Sequence, residues 1–464
     1  MKRGDYDVII VGAGPAGIFC ALELTRRAPD LRVLMLERGV GLDNRICPVD
    51  QGGACVNCTP CRNISGWGGA GAFSDGKLTL TTEFGGALAE YTGRAQLESL
   101  MEYCDQWYLR FGAPKKVYRA EPRMDRDLRR RAAAADLIFV PGGIRHLGTD
   151  GCVKICRAAY DELDDRVDIA TGVRVREICT TDGKVSGVRT EEGPKYRSRY
   201  VVAAPGRSGS EWLAGEAERM GVNVSSGSVD IGIRVELPAL VMEEITEAVY
   251  ESKLLYYSKS FDDRIRTFCM CPHGEVSLEN FDGLLTVNGH SYQDATGENT
   301  NFALLVSKTF TRPFNEPIRY GRNIASLANM LGGGVLVQRL GDLLAGRRST
   351  SGRLRRGVVK PTLSEATPGD LSLVLPYRQL LGILEMLEAL DTLCPGVNSR
   401  HTLLYGVEVK FYSSVLDVDG SLETRVKNLH VAGDGAGITH GLMQSSASGV
   451  HVARAILEKE DGGN

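Results

Sequence analysis

Asp7-Val8-Ile9-Ile10-Val11-Gly12-Ala13-Gly14-Pro15-Ala16-Gly17 places a β-branched run directly ahead of G-x-G-x-x-G, and Val33-Leu34-Met35-Leu36 ends on Glu37 twenty residues after Gly17. The pattern predicts strand, tight turn, helix and second strand. Each part has a mechanical role: Gly12 for the turn out of the strand, Gly14 for close approach of a pyrophosphate to the backbone, Gly17 for helix–strand packing. Pro15 and Ala16 open the helix, whose N–H groups would meet phosphate oxygens. Glu37, with Arg38 beside it, stands where an acid would hold ribose hydroxyls. A glycine triplet alone says little, but with strands, helix and terminal acid in register it predicts a dinucleotide-binding βαβ unit.

The far end of the chain indicates which dinucleotide. Asn428-Leu429-His430-Val431-Ala432-Gly433-Asp434-Gly435-Ala436-Gly437 reads as a short strand ending on Gly-Asp, and Gly441–Ile456 follows as a helix rich in small residues. This resembles the second FAD signature of glutathione-reductase-like flavoproteins. The resemblance implies that Gly433 and Asp434 meet the ribityl chain. It also implies that the next helix points its N-terminus, with Gln444 and Ser445, at the flavin edge, where its partial positive charge would favour an anionic reduced ring. Tyr200-Val201-Val202-Ala203-Ala204-Pro205-Gly206 resembles the strand-to-glycine crossing near FAD in the same superfamily.

The chain has 464 residues, 43% hydrophobic and 24% charged, enough for two or three lobes with ample cores. A formal net charge of -3 gives no whole-chain case for nucleic acid. No signal-like leader and no uninterrupted apolar run long enough for a bilayer are read, so a cytoplasmic protein without membrane insertion is expected. Residues 38–92 are Gly-rich, as for a loop over a ligand. Ala95–Phe111 carries apolar residues at three- and four-residue steps and predicts a helix. Val173–Cys179 and Val185–Thr190 around Thr181-Asp182-Gly183 predict a hairpin, and Pro376–Leu393 a further helix. The expected fold is α/β: a discontinuous Rossmann-like FAD-binding domain over 1–224 and 401–464, with an inserted α+β substrate domain over 225–400. No second G-x-G-x-x-G unit follows a strand, so no separate nicotinamide domain is expected.

Four constellations bear on chemistry. Cys47, Cys55, Cys58 and Cys61 fall within fifteen residues of a chain with twelve cysteines. Four thiolates suit a [4Fe–4S] cluster or structural zinc, with unliganded thiols as the third reading. The glycines after them, with Gly69, Gly71 and Ser74, are expected against the flavin nucleotide. Glu408 and Lys410, two apart on a strand, share a face; they could bind a carboxylate substrate, shuttle a proton or form an ion pair. His440, just ahead of the C-terminal helix, is a further acid/base candidate. Cys269-Met270-Cys271 is a redox dithiol, a metal fragment or simple packing. Arg339, Arg347, Arg348, Arg353, Arg355, Arg356 and Lys360, opposed by Asp342 alone, read as a solvated loop or a dock for an anionic group.

GGAGAFSDGKL (Gly68–Leu78), GGIRHLGTD (Gly142–Asp150), DIGIRVE (Asp230–Glu236), FCMCPHGEV (Phe268–Val276), GVEVKFYSS (Gly406–Ser414) and GDGAGITHGLMQSSASG (Gly433–Gly449) together resemble a bacterial family of FAD-dependent dehydrogenases in the same superfamily. The resemblance implies a two-domain FAD protein with its active site between the lobes. It places Glu408 and Lys410 in a family motif, and it puts His440 where many relatives carry Arg. The expectation is an FAD-dependent oxidoreductase, a dehydrogenase or reductase passing hydride through flavin N5 to or from a small organic substrate, an anionic one if the basic stretch is its dock. The alternatives are a flavin monooxygenase, whose usual DG motif is not evident, and an electron-transfer or redox-sensing flavoprotein serving a carrier such as ferredoxin.

Overall fold

A computed structural model describes residues 5–48, 56, 58–281, 283–291, 297–314, 316–411 and 414–462. The chain divides into two units, Met1–Lys115 with Arg145–Gly227 and Ser413–Asn464, and Lys116–Ile144 with Ser228–Tyr412.

The first unit is built on a five-stranded parallel sheet in the order Leu429–Val431, Ser198–Ala203, Tyr6–Val11, Val33–Glu37, Asp168–Thr171. Strands buried on both faces read as continuous apolar runs: Val8, Ile9 and Ile10, and Val33, Leu34, Met35 and Leu36, are all buried. Pro15 starts the helix Pro15–Arg27, where its missing N–H costs nothing. The C-terminal helix, Leu442–Gly462, lies so close to it that a Cβ on Gly449 would strike the Ala16 carbonyl and come within 3.0 Å of the Cys20 nitrogen. The predicted helix runs Arg94–Arg110 and the predicted hairpin pairs Val175–Thr181 with Lys184–Thr190, its turn at Asp182 and Gly183 both at positive φ.

The second unit is α+β. Its eight-stranded sheet runs Thr367–Pro368, Leu336–Arg339, Leu403–Phe411, Val229–Pro238, Asn299–Lys308, Arg264–Cys271, Lys253–Tyr257, Leu137–Val140, antiparallel except at the first pair. The helix Tyr377–Leu393 buries Ile383, Met386, Leu387 and Leu390 in one core with Ile231, Ile233 and Val235. The unit differs from the expected 225–400 in two places. It takes in the Arg-rich helix Pro122–Ala134 and the strand Leu137–Val140, which pairs with Lys253–Tyr256 more than a hundred residues on. It also keeps Leu403–Phe411, so Glu408 and Lys410 belong to this sheet. Among the described residues no helix is long and apolar enough to cross a membrane.

The close helix pair in the first unit makes a direct forecast. Gly449→Val should overpack the Ala16 contact and lower stability by about 1–3 kcal/mol, read as an earlier midpoint in urea unfolding. An unchanged midpoint would contradict the packing described.

Candidate functional site

The turn between Val11 and Pro15 is held from several sides. Gly12 N–H donates to the Leu36 carbonyl at 2.8 Å, and Ala204 N–H donates to the Val11 carbonyl at 2.8 Å. Gly12 has a φ of 106°, and a Cβ there would strike the Ala204 carbonyl; a Cβ on Gly17 would strike the Gly12 carbonyl. Both glycines are thus required by close backbone approach. Gly14 differs: a Cβ there would meet no protein atom within 4 Å. The helix begins at Gly14 with no side-chain cap and no acidic residue in its first turn. Open space in front of uncapped N–H groups suits an anionic phosphate, which is the fit that a dinucleotide requires.

Glu37 is buried and faces the backbone. Its Oε2 accepts from Ala13 N–H at 2.9 Å, and its Oε1 accepts from Gly39 N–H at 2.8 Å and Gly66 N–H at 3.0 Å. An ionised carboxylate has about four acceptor positions, so three are taken by the fold. Arg38 reaches the Ser65 hydroxyl at 3.0 Å.

The glycine loop closes over this turn. Gly68 N–H donates to the Ala13 carbonyl at 2.8 Å, and a Cβ on Gly69 would lie 3.0 Å from Gly14 Cα. Gly71 abuts Leu442 and Pro15, and Ser74 donates to the Gly71 carbonyl at 2.9 Å. Arg45, unremarkable in the sequence, clamps the loop. Its guanidinium donates to the carbonyls of Arg62, Asn63, Trp67 and Gly69 at 2.7–2.8 Å and lies 4.7 Å from the centre of the Phe73 ring. Burial lowers this guanidinium to about 10, with Cys156, Glu37 and Cys61 opposing the shift. An apolar pocket sits beside the loop, lined by Pro15, Ile18, Phe19, Gly71, Tyr108 and Leu442 among others.

Asp434 ends the Gly-Asp turn. Its Oδ1 accepts from the hydroxyls of Thr439 and Ser445, both at 2.8 Å, and Arg207 stands 3.7 Å away. Gly433 N–H donates to the Ser448 hydroxyl at 3.0 Å. Gln444 is buried; its amide nitrogen donates to the Phe84 carbonyl at 3.3 Å, while its Oε1 has no hydrogen-bond partner. An orphaned buried acceptor needs a partner, and a ligand N–H or hydroxyl would fit it. Gly206, at φ 66°, also faces space free of protein atoms within 4 Å. His440 is exposed, with its main-chain N–H donating to the Gly85 carbonyl at 2.7 Å.

Of the cysteine loop, Cys55 lies outside the described residues. Cys47, Cys58 and Cys61 are all half-buried. Burial raises the Cys61 thiol; Cys58 and Cys47 add to the rise, and the Asn63 and Ile64 N–H groups oppose it. Arg62 N–H donates to Cys58 Sγ at 3.4 Å. The three sulfurs do not gather within 4.8 Å as a set.

In the second unit, Glu408 and Lys410 do meet. Lys410 Nζ lies 3.2 Å from Glu408 and 3.1 Å from Glu279, and Arg234 stands 3.2 Å from Glu408. Arg234 and Glu408 are fully buried. The pair is part of an ion network that includes Arg234 and Glu279, both far away in sequence. The basic stretch also turns partly inward. Asp342 is buried, accepts from Arg347 at 3.0 Å and from the Ser349 hydroxyl at 2.8 Å, and so anchors the loop.

Residues 228–411 match the family model described as FAD-dependent protein, C-terminal domain-like, and residues 2–46 match the Thi4 family. The chain is 28% identical over 493 aligned positions to an uncharacterised protein of Clostridium beijerinckii, across 99% of this chain and 83% of that one. Among solved structures it is similar to glycine oxidase from Geobacillus kaustophilus, at 15% identity and a TM-score of 0.42 over 98% of this chain and 95% of that one. It is also similar to 3-ketosteroid-Δ4-(5α)-dehydrogenase from Rhodococcus jostii RHA1, at 14% identity and a TM-score of 0.44 over 98% and 97%.

Two forecasts follow from this geometry. Arg45→Met removes the charged donor from four carbonyls and should cost about 1–3 kcal/mol, seen as faster proteolytic cutting between residues 58 and 76; equal cutting rates would contradict the clamp. His146, in the first unit, is held by burial near 4 rather than 6.5, with Asp75 opposing. The unfolded chain binds this proton more readily. The stability it contributes is therefore full above pH 6.5 and lost as pH falls towards 4, about 3 kcal/mol in all. His146→Gln should flatten the acid limb of the stability profile in that window, and an unchanged limb would contradict the assignment.

Proposed function

We propose that this protein is an FAD-dependent oxidoreductase of the dehydrogenase or reductase type, acting on a small organic substrate. The observation that carries the reading is the uncapped helix N-terminus at Gly14, open to an anion, in a chain whose residues 228–411 match an FAD-dependent protein model. When bound, FAD supplies hydride transfer at N5.

The chain's own residues would then act as follows. Gly14, Ala16 and Gly17 would meet the pyrophosphate with main-chain N–H groups, while Gly12 makes the turn and Pro15, which has no N–H, starts the helix. Gly69, Gly71 and Ser74 would cover it. Glu37 would offer its remaining acceptor position to a ribose hydroxyl, with Arg38 adjacent. Gly433 and Asp434 would take the ribityl hydroxyls, while Gly206 leaves room for the nucleotide. Gln444, through its unpaired Oε1, and Ser445 would meet the ring edge.

Lys410 and Glu408 would handle the substrate proton. Lys410 sits between two carboxylates, and Arg234 holds Glu408 in place. His440, exposed ahead of the C-terminal helix, would be a second proton donor. Lys410→Met should reduce the rate at which substrate bleaches the flavin band by 10²-fold or so, the usual scale for a lost acid or base, while FAD content is unchanged. It should also remove one limb of the pH–rate profile. A full rate with an unaltered profile would make the network structural.

A second reading, an electron-transfer flavoprotein serving a ferredoxin-like carrier, draws on the cysteine loop, where Cys58 and Cys47 add to the rise of the Cys61 thiol. With Cys55, they would be the ligands of a [4Fe–4S] cluster or of zinc. Iron and sulfide near four per chain in anaerobically purified protein, lost in Cys58→Ala, would support the cluster. Zinc at one per chain, or no metal, would overturn it.

A further inference from the structure

The C-x-C at 269–271 has no part in the proposed chemistry, and its backbone is unusual. Phe268 pairs with Ala303 and Cys271 with Asn301, so the cysteine strand carries one extra residue, a β-bulge. Cys269 takes a φ of 46°, the left-handed region that a residue with a Cβ seldom occupies. Such strain costs on the order of 1–3 kcal/mol and gathers at functional positions. Met270 is fully buried between them. The two sulfurs lie 4.0 Å apart and are not bridged.

A guanidinium lies against Cys271 Sγ, and a carboxylate, Glu251, accepts from the Cys269 N–H at 3.2 Å. Arg234 is locked by Asn301 Oδ1 at 2.7 Å and by Glu408, and from that position its Nη2 donates to the Cys269 carbonyl at 2.5 Å and to Cys271 Sγ at 3.4 Å. A guanidinium does not lose its proton in proteins, so Cys271 has a permanent positive charge against its sulfur. Lys253 and Arg266 stand 5.0 and 4.7 Å from the centre of the neighbouring Phe268 ring. Glu251 pairs with Lys253, Asp230 with Arg266, and Glu408 with Arg234. Cys269 is half-buried and Cys271 buried. Reactive thiols occur in such electropositive, partly exposed settings. By contrast, burial pushes the thiol of Cys394, which lies in the same unit, up to about 12.

We propose that Cys269 and Cys271 form a redox-active dithiol that exchanges two electrons with external disulfides, Cys269 attacking and Cys271 resolving. Cys269 thiolate attacks one sulfur of R–S–S–R; a Cys269–S–S–R bond forms, the original bond breaks, and RS⁻ leaves with the proton that Cys269 gave up. Cys271 thiolate, beside Arg234, then attacks Cys269 Sγ and expels the second RS⁻, which takes the Cys271 proton. The external disulfide gains two electrons and two protons, and the pair becomes an intramolecular disulfide. The reverse exchange with an external thiol pair restores the dithiol.

The test uses full-length protein equilibrated anaerobically in glutathione buffers of graded thiol/disulfide ratio, with a chelator, then acid-quenched, alkylated and digested. The peptide carrying Cys269 and Cys271 should lose both alkyl groups together in one two-electron transition, while the peptide carrying Cys394 stays alkylated. Cys271→Ser should trap a glutathione adduct on Cys269, and Cys269→Ser should trap none. The proposal is overturned if both thiols stay alkylated at every ratio, or if the wild-type protein accumulates the Cys269 adduct unresolved. Both substitutions are close in size, and a circular-dichroism spectrum equal to wild type confirms that the fold persists.

Discussion

One buried carboxylate ties the glycine turn to the glycine loop. Glu37 accepts from Ala13 in the glycine turn, from Gly39 just past its own strand and from Gly66 at the start of the glycine loop. These three N–H groups belong to segments that must hold still for a phosphate to find open space at Gly14. Because the carboxylate is out of water, removing any of its partners would leave charge or polarity unsatisfied, and the segments are therefore mutually dependent. Arg45 does the complementary work with cationic donors, gathering four carbonyls from the other side of the same loop. An anion clamp and a cation clamp thus shape a loop whose Trp67 and Leu78 are buried in the core of the same unit.

The same logic recurs in the second unit with a different outcome. There Arg234 serves Glu408, Asn301 and the Cys269–Cys271 bulge at once. A guanidinium with five fixed donors can hold a carboxylate in position and also place charge beside a sulfur. Glu408 and the Cys269–Cys271 pair share this anchor, so Arg234 is the residue through which a change at one would be felt at the other.

The parallel sheet was legible because its strands announce themselves locally, as β-branched runs meeting glycines at fixed offsets. Gly12 and Gly17 have the backbone collisions that the motif demands, and Gly14 has the open space. Glu37 was visible as a strand-end acid, but its three backbone partners were not, since Gly39 and Gly66 contribute only N–H groups and any residue would look the same in sequence. The pairing of Leu137–Val140 with Lys253–Tyr256 and the membership of Leu403–Phe411 in the second sheet were missed for a related reason. Both depend on partners more than a hundred residues away, while the neighbouring Arg-rich helix gives no apolar stripe wide enough to assign it. Glu408 and Lys410 were singled out by strand spacing, yet Glu279 had no local signal, and Arg234 stood only within the stretch Asp230–Glu236 without any sign that it would meet Glu408.

The most direct measurement is nucleotide content. Protein purified without added cofactor is denatured, and the released nucleotide is separated and weighed against chain concentration, for the wild type and for Gly14→Val. The geometry at Gly14 predicts about one FAD per wild-type chain, by the one-cradle logic of the motif, and none in a folded Gly14→Val chain, whose side chain would fill the space in front of the helix. Stoichiometric FAD retained by folded Gly14→Val, or a wild-type chain that carries a different nucleotide, would contradict it.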